Sequence, residues 1–201
     1  YQQNIARLKA EPTIHFLEPM WEEGKAKLPE PESIVAQVSH VLARTQAACH
    51  FEGKSAMPPR PLSGKKILIT AGPTEGPLDP VSHLSNFSPG SLGISLAKEL
   101  YMRGALPTVV YGPGHAQPHS FYRVIPVRTP SHMLEAVLSE IKTESYSAAI
   151  FSAAVLDHVP ASVSDTKLSS REPLRVDFVP THKIVREVDG VAKKPLYKIG
   201  F

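Results

Sequence analysis

A chain of 201 residues, 42% hydrophobic and 20% charged, can bury a sizeable core as one domain or as one domain with part of another. Its 22 basic and 19 acidic residues are scattered, without a basic stripe or interleaved aromatics, so the net charge of +3 does not indicate a nucleic-acid partner. The single cysteine, Cys49, allows no internal disulfide and fits a reducing cytoplasm, and the longest apolar run, 148–156 broken by Ser152, is too short to cross a bilayer.

The first 50 residues read as a helix over 2–9, a short strand over 13–17, a loop, and a helix over about 32–47. Ile34, Val35, Val38, Val41 and Leu42 give the second helix a continuous apolar stripe that must bury against something. The pieces QQNIARLKAEPTIHFLEP and LPEPESIV resemble the tail of phosphopantothenoylcysteine decarboxylase, a flavodoxin-like protein that uses FMN. Between those pieces that family has a Cys-Gly substrate clamp, whereas this chain has MWEEGKAK. Cys49 lies too far along to replace the clamp, so no decarboxylase activity is expected, and FMN is expected only in a decarboxylase domain outside the chain. The stretch 51–63 contains Pro58, Pro59 and Pro61 without periodicity and reads as a semi-rigid linker. The expected division is therefore 1–50 as a remnant of a decarboxylase-like domain, 51–63 as linker, and 64–201 as a second domain that continues beyond Phe201. Tyr1 is not an initiator residue, and both chain ends are expected to be boundaries within a longer protein.

From Gly64 onward strands and helices alternate. Ile67, Leu68 and Ile69, ending in Ala71 and Gly72, suit a strand covered on both faces. After a long loop, Ser88 as N-cap and Pro89 at the first helical position open a helix in which Leu92, Leu96 and Leu100 recur, closed by Arg103 and Gly104. Strands follow at 108–111 and 124–127, then a helix capped by Ser131 with Met133, Leu134, Val137, Leu138 and Ile141 on its buried face. A fourth strand is expected over 148–155, a polar flap over 162–171, an extended stretch over 175–179, and a fifth strand over 197–201. This pattern predicts an α/β, Rossmann-like three-layer fold with a mostly parallel sheet, its ligands beyond the carboxyl ends of the strands.

A helix opening in Ser-Pro-Gly-Ser-Leu-Gly presents backbone N–H groups and the positive end of its dipole to an anion, and Gly90 and Gly93 permit a close approach. The same glycines suit tight helix–strand packing. A dinucleotide fingerprint is disfavoured, because residues 73–87 intervene between strand and glycines and Tyr111-Gly112-Pro113 offers no carboxylate. His115 and His119 lack a third ligand for a structural zinc site, and no dedicated metal site is expected.

The ordered elements ILITAGPT, DPV, SNFSPGSLG and SAAVLDH, over about 64–201, resemble phosphopantothenate–cysteine ligase. That resemblance implies amide synthesis in coenzyme A biosynthesis: phosphopantothenate is activated as an acyl-nucleotide, pyrophosphate leaves, and the amine of cysteine attacks. CTP or ATP would be the co-substrate, with Mg2+ arriving on the triphosphate, and the full-length protein would be a homodimer or larger homo-oligomer. By the same resemblance Asn86 serves the acyl-nucleotide step as an oxyanion donor. Ser88, Gly90 and Gly93 face phosphate, Ala153, Ala154 and Asp157 face base and ribose, Lys167 closes a flap over the phosphates, and Phe201 lies against the base.

The chain also departs from the family. Glu75, Ser82 and Ser91 stand where arginine or lysine is usual, and Ser169 and Ser170 replace flap lysines. Each charge-assisted phosphate contact is worth about 1.5–3 kcal/mol, so uncompensated losses would weaken binding by orders of magnitude. Either Lys65, Lys66, Arg128, His83 or a partner subunit compensates, or the chain is a divergent ligase, an impaired nucleotide-binding or scaffold module. An NAD(P)-dependent oxidoreductase is the remaining, disfavoured reading.

Overall fold

Aliphatic residues fill both faces of the strands, and the sheet they form is covered on both sides. The computed structural model describes residues 20–22, 25–28, 31, 34, 35, 38, 62–120 and 122–201. The helix expected over 2–9, the strand over 13–17, Cys49 and most of the proline-rich linker lie outside the described residues. Two short antiparallel strands, β1 (Met20–Glu22) and β2 (Lys25–Lys27), occupy MWEEGKAK, where a loop was expected.

The main sheet has five strands: β3 (Lys66–Ala71), β6 (Leu106–Tyr111), β7 (Arg123–Pro126), β8 (Ala148–Phe151) and β11 (Tyr197–Gly200). Their order is β11-β8-β3-β6-β7, and every neighbouring pair is parallel. The chain runs outward from β3 through β6 to β7, then returns to the other side of β3 for β8 and β11. Strand order therefore reverses between β3 and β8.

Side-chain alternation divides the core in two. Ile67, Ile69 and Ala71 of β3, Val109 and Tyr111 of β6, and Ala148 and Ile150 of β8 share one cluster with Leu96, Ala97 and Leu100 of α1 (Ser91–Met102). Leu68, Val110 and Ala149 face the other way, onto Met133, Val137 and Ile141 of α2 (Pro130–Thr143) and Ile184 of the short α3 (Ile184–Glu187). This is the expected three-layer α/β arrangement. Ile34, Val35 and Val38, three positions of the apolar stripe in the early helix, belong to the α1-side cluster. These three side chains are thus buried on the α1 side of the sheet.

Helix starts differ from the sequence reading. Gly90, not Ser88, is the N-cap of α1, in the left-handed conformation at φ 79 and without a side-chain cap bond. Pro89 consequently lies before the helix, where its carbonyl accepts from the Ala116 N–H at 2.9 Å. For α2 the cap is Thr129, whose hydroxyl accepts from the His132 N–H at 3.2 Å, with Pro130 at the first helical position and Ser131 already inside. The strand expected over 148–155 ends at Phe151. Three-residue strands add two antiparallel pairs: β4 (Glu75–Pro77) with β5 (His83–Ser85) inside the long loop after β3, and β9 (His158–Pro160) with β10 (Phe178–Pro180), the latter at the end of the stretch read as extended over 175–179.

Candidate functional site

The carboxyl ends of β3 and β8 are joined by polar side chains that the sequence buries in otherwise apolar strands. Thr70 is 2% exposed, and its Oγ1 accepts from the Ala153 N–H at 3.4 Å, while Ser152 Oγ donates to the Thr70 carbonyl at 2.7 Å. Past the strand ends, Ala154 N–H donates to the Gly72 carbonyl at 2.9 Å, and Thr74 N–H donates to the Ala154 carbonyl at 3.2 Å. The fully buried Thr74 then accepts the Leu156 N–H on its Oγ1 at 2.9 Å. Thr70, Thr74 and Ser152 were not singled out in the sequence. Thr70 and Ser152 are hydroxyls inside apolar runs, and Thr74 stands in the Gly-Pro-Thr turn of ILITAGPT.

Asn86 lies on this junction. Its Nδ2 donates to the Ala154 carbonyl at 2.9 Å, leaving one N–H of the amide for another acceptor. The start of α1 is held beside it. A Cβ on Gly93 would stand 2.3 Å from Ala71 Cβ and 2.9 Å from Ser152 Oγ, and one on Gly90 would stand 2.7 Å from the Tyr111 ring. Both glycines therefore let the helix start press onto the ends of β3 and β6. Tyr111 Oη donates to the Ala116 carbonyl at 2.7 Å, and burial raises its phenol above the ordinary range. The Ser88 N–H donates to the Asn86 carbonyl at 2.9 Å, a turn bond that fixes the approach to the helix.

Asn86, Ser88, Gly90, Gly93, Ala153 and Ala154 are thus brought together. Asp157 lies a few residues further along, two-thirds exposed and ion-paired with Lys183. Lys167 is exposed on the stretch after β9, and Phe201 is half-exposed past β11. Among the described residues no hydrogen bond or ion pair ties either of them to the junction.

The stretch carrying Lys167 is nevertheless anchored. The Leu168 N–H donates to Asp79 Oδ2 at 2.9 Å, while Val81 and Ser82 donate to Oδ1 at 2.7 and 2.6 Å. These backbone donors, Leu168 foremost, hold the Asp79 carboxyl down to about 2. A further bond runs from the Ser164 N–H to the Leu78 carbonyl at 2.9 Å.

The four candidate compensating cations are all accounted for. Lys65 and Lys66 lie at the amino end of β3, roughly 16 Å of strand away from Ala71, and Lys66 pairs with Glu144. Arg128 binds Glu75 through Nη2 at 2.6 Å and Nε at 2.8 Å, and His83 Nε2 lies 3.4 Å from the other Glu75 oxygen. Within one chain, Lys65 and Lys66 are at the amino end of the sheet, and Arg128 is held on Glu75 with His83 beside it.

A cavity of about 280 Å³ lies on this carboxyl side, lined by Glu75, Asp79, His83, Arg128, Thr129 and His132. Another, about 260 Å³ and lined by Lys66, Thr108, Arg123 and Tyr146, lies at the amino end of the sheet. Volume does not separate them, and neither is lined by Asn86, Gly90, Gly93, Ala153 or Ala154 of the β3/β8 junction. Among the described residues no three His, Cys, Asp or Glu side chains converge on a possible metal position.

A parallel α/β sheet whose order reverses beside a glycine-opened helix defines the class of domain that takes its ligand beyond the carboxyl ends of the strands. Within that class, the chain belongs to the DNA/pantothenate metabolism flavoprotein C-terminal domain family, which matches residues 62–201. It is 34% identical over its whole length to the coenzyme A biosynthesis bifunctional protein CoaBC of Thermococcus kodakarensis, covering 45% of that protein. It is also 34% identical to a cysteine/cysteine sulfinic acid decarboxylase from an unknown prokaryotic organism, again over the whole chain and 54% of that protein. The chain spans about half the length of these relatives. The crystal structure of the C-terminal domain of a CoaBC superposes with a TM-score of 0.60 at 32% identity, covering 70% of this chain and 65% of that one.

Proposed function

We propose that this chain carries the ligase half of coenzyme A biosynthesis, joining phosphopantothenate to cysteine through an acyl-nucleotide. The observation that carries this reading is the Asn86–Ala154 hydrogen bond at the β3/β8 reversal, which sets a side-chain amide between two motif elements 68 residues apart. In this assignment the nucleotide lies along Ala153, Ala154 and Asp157, with its phosphates toward Ser88, Gly90 and Gly93. The remaining N–H of Asn86 points at the carbonyl oxygen that gains charge as the acyl-nucleotide forms and breaks. Lys167 swings in on its loop to neutralise phosphate and exclude water, and Phe201 covers the base. Mg2+ enters with the triphosphate, whose oxygens supply much of its coordination.

Cysteine's amine attacks the activated carbonyl, the C–N bond forms, and the nucleoside monophosphate leaves with the electron pair of the broken acyl–phosphate bond. A cytoplasmic homodimer or larger homo-oligomer is part of the proposal, a partner subunit being one source of phosphate-facing cations besides Lys167.

The test is pyrophosphate release by the intact protein given phosphopantothenate, cysteine and CTP or ATP. Release that requires all three supports the ligase. Nucleotide binding without release supports the impaired module, a reading favoured by the capture of Arg128 and His83 on Glu75. Binding of NADPH in place of either nucleotide would overturn both.

A further inference from the structure

We propose that Lys183 is a positioning residue for nucleotide: it orients Asp157 so that one carboxylate oxygen is free to accept from the ribose hydroxyls. The inference rests on the nucleotide assignment above and adds a residue that the motif comparison did not supply. Lys183 Nζ pairs with Asp157 Oδ1, which leaves Oδ2 unclaimed. The scaffold, rather than a chance surface encounter, brings the two together. Thr181 N–H donates to the Asp157 carbonyl at 2.9 Å, Thr181 Oγ1 donates to the Leu156 carbonyl at 2.6 Å, and Pro180 is the register partner of His158. Leu156 is in turn held by the buried Thr74 at the end of β3. Backbone position at 156–157 is therefore fixed relative to the strand reversal, and only the Asp157 side chain retains freedom.

That freedom matters for a sugar. A carboxylate that is 68% exposed samples several rotamers, and accepting from a vicinal diol requires one of them. A lysine holding Oδ1 selects that rotamer before the ligand arrives. The alternative, that the pair merely stabilises the fold, is weak on its own terms. With Lys183 53% and Asp157 68% exposed, the pair contributes little to stability, as exposed ion pairs do. An effect on ligand binding is therefore separable from an effect on folding.

The experiment is calorimetric titration of the intact protein with CTP and ATP and with the 2′,3′-dideoxy form of each, in wild type, Lys183→Met and Lys183→Arg. Lys183→Met should raise the ribonucleotide Kd about threefold, the cost of selecting one of about three staggered rotamers, and leave the dideoxynucleotide Kd unchanged. Lys183→Arg should restore most of the preference for the ribonucleotide, and none of the variants should move Tm appreciably. Equal losses for both sugar forms would overturn the proposal, because the lysine would then be acting on phosphate or on the fold. An unchanged ratio in Lys183→Met would overturn it as well. A wild-type protein that binds neither nucleotide would instead overturn the nucleotide assignment itself, and the role of Lys183 with it.

Discussion

At Asn86 a single side chain is asked to do two things. One amide N–H closes the junction onto the Ala154 carbonyl at 2.9 Å, and the other is assigned to the reacting oxygen. Asn86→Asp replaces the donor with an oxygen facing another oxygen. Turnover should fall about a hundred- to a thousandfold, as when an oxyanion donor is removed, while nucleotide binding is largely kept. A loss of about 1 kcal/mol in stability should accompany it from the broken junction bond. Pyrophosphate-release kinetics and thermal denaturation separate the two effects, and wild-type turnover would sink the oxyanion role. Gly93 makes a sharper structural claim. An added methyl 2.3 Å from Ala71 Cβ must push α1 off β3, so Gly93→Ala should cost about 1–3 kcal/mol, read by chemical denaturation.

Between elements, Asp79 is the clasp. It ties the β4–β5 connection to the stretch bearing Lys167 through the N–H groups of Val81, Ser82 and Leu168. Because folding lowers its carboxyl from the ordinary 3.8 to about 2, its contribution is fully present above 3.8 and is lost as pH falls from there toward 2. Asp79→Asn removes that contribution at neutral pH. Its Tm should therefore lie below wild type at pH 7, and the gap should close as both are acidified through that window. A gap that does not change with pH would show that the carboxylate is not what holds the clasp.

For the whole molecule, the alkaline limit of stability is written in its tyrosines. Tyr146 Oη donates to Glu140 Oε2 at 2.6 Å inside the α2-side layer, and the same glutamate oxygen takes Arg123 Nη1 at 2.8 Å. Burial, and then Glu140, raise the Tyr146 phenol, and burial also raises Tyr111 and Tyr122. Groups whose pKa rises on folding give stability that is complete below the ordinary value of 10.0 and is lost as pH climbs beyond it. Denaturation midpoints should therefore fall above about pH 10. Tyr146→Phe should flatten that fall while costing about 1 kcal/mol at pH 7 for the lost bond to Glu140. An equally steep alkaline limb in the variant would assign the loss to other groups.

Periodicity and composition alone determined the layers. The apolar runs 67–69 of β3 and 109–111 of β6 and the four-residue spacing of Leu96 and Leu100 suit a covered parallel sheet with helices on it, and local sequence carries that information. The ordered motif elements likewise pointed to the carboxyl ends as the candidate site before any contact was visible. Tertiary structure decided what depends on partners distant in sequence. Three-residue strands such as β4 and β9 have no period of their own and exist only because β5 and β10 pair with them. Ser88 has the right chemistry for a cap, yet α1 begins after Gly90, where the left-handed turn fits between Tyr111 and Gly72. Arg128 looked like a free cation until the fold set it on Glu75, 53 residues away, and Lys183, which the sequence did not single out, is brought to Asp157 by Thr181. A residue's type fixes what bonds it can make, but only the packed chain fixes which partner stands close enough to make them.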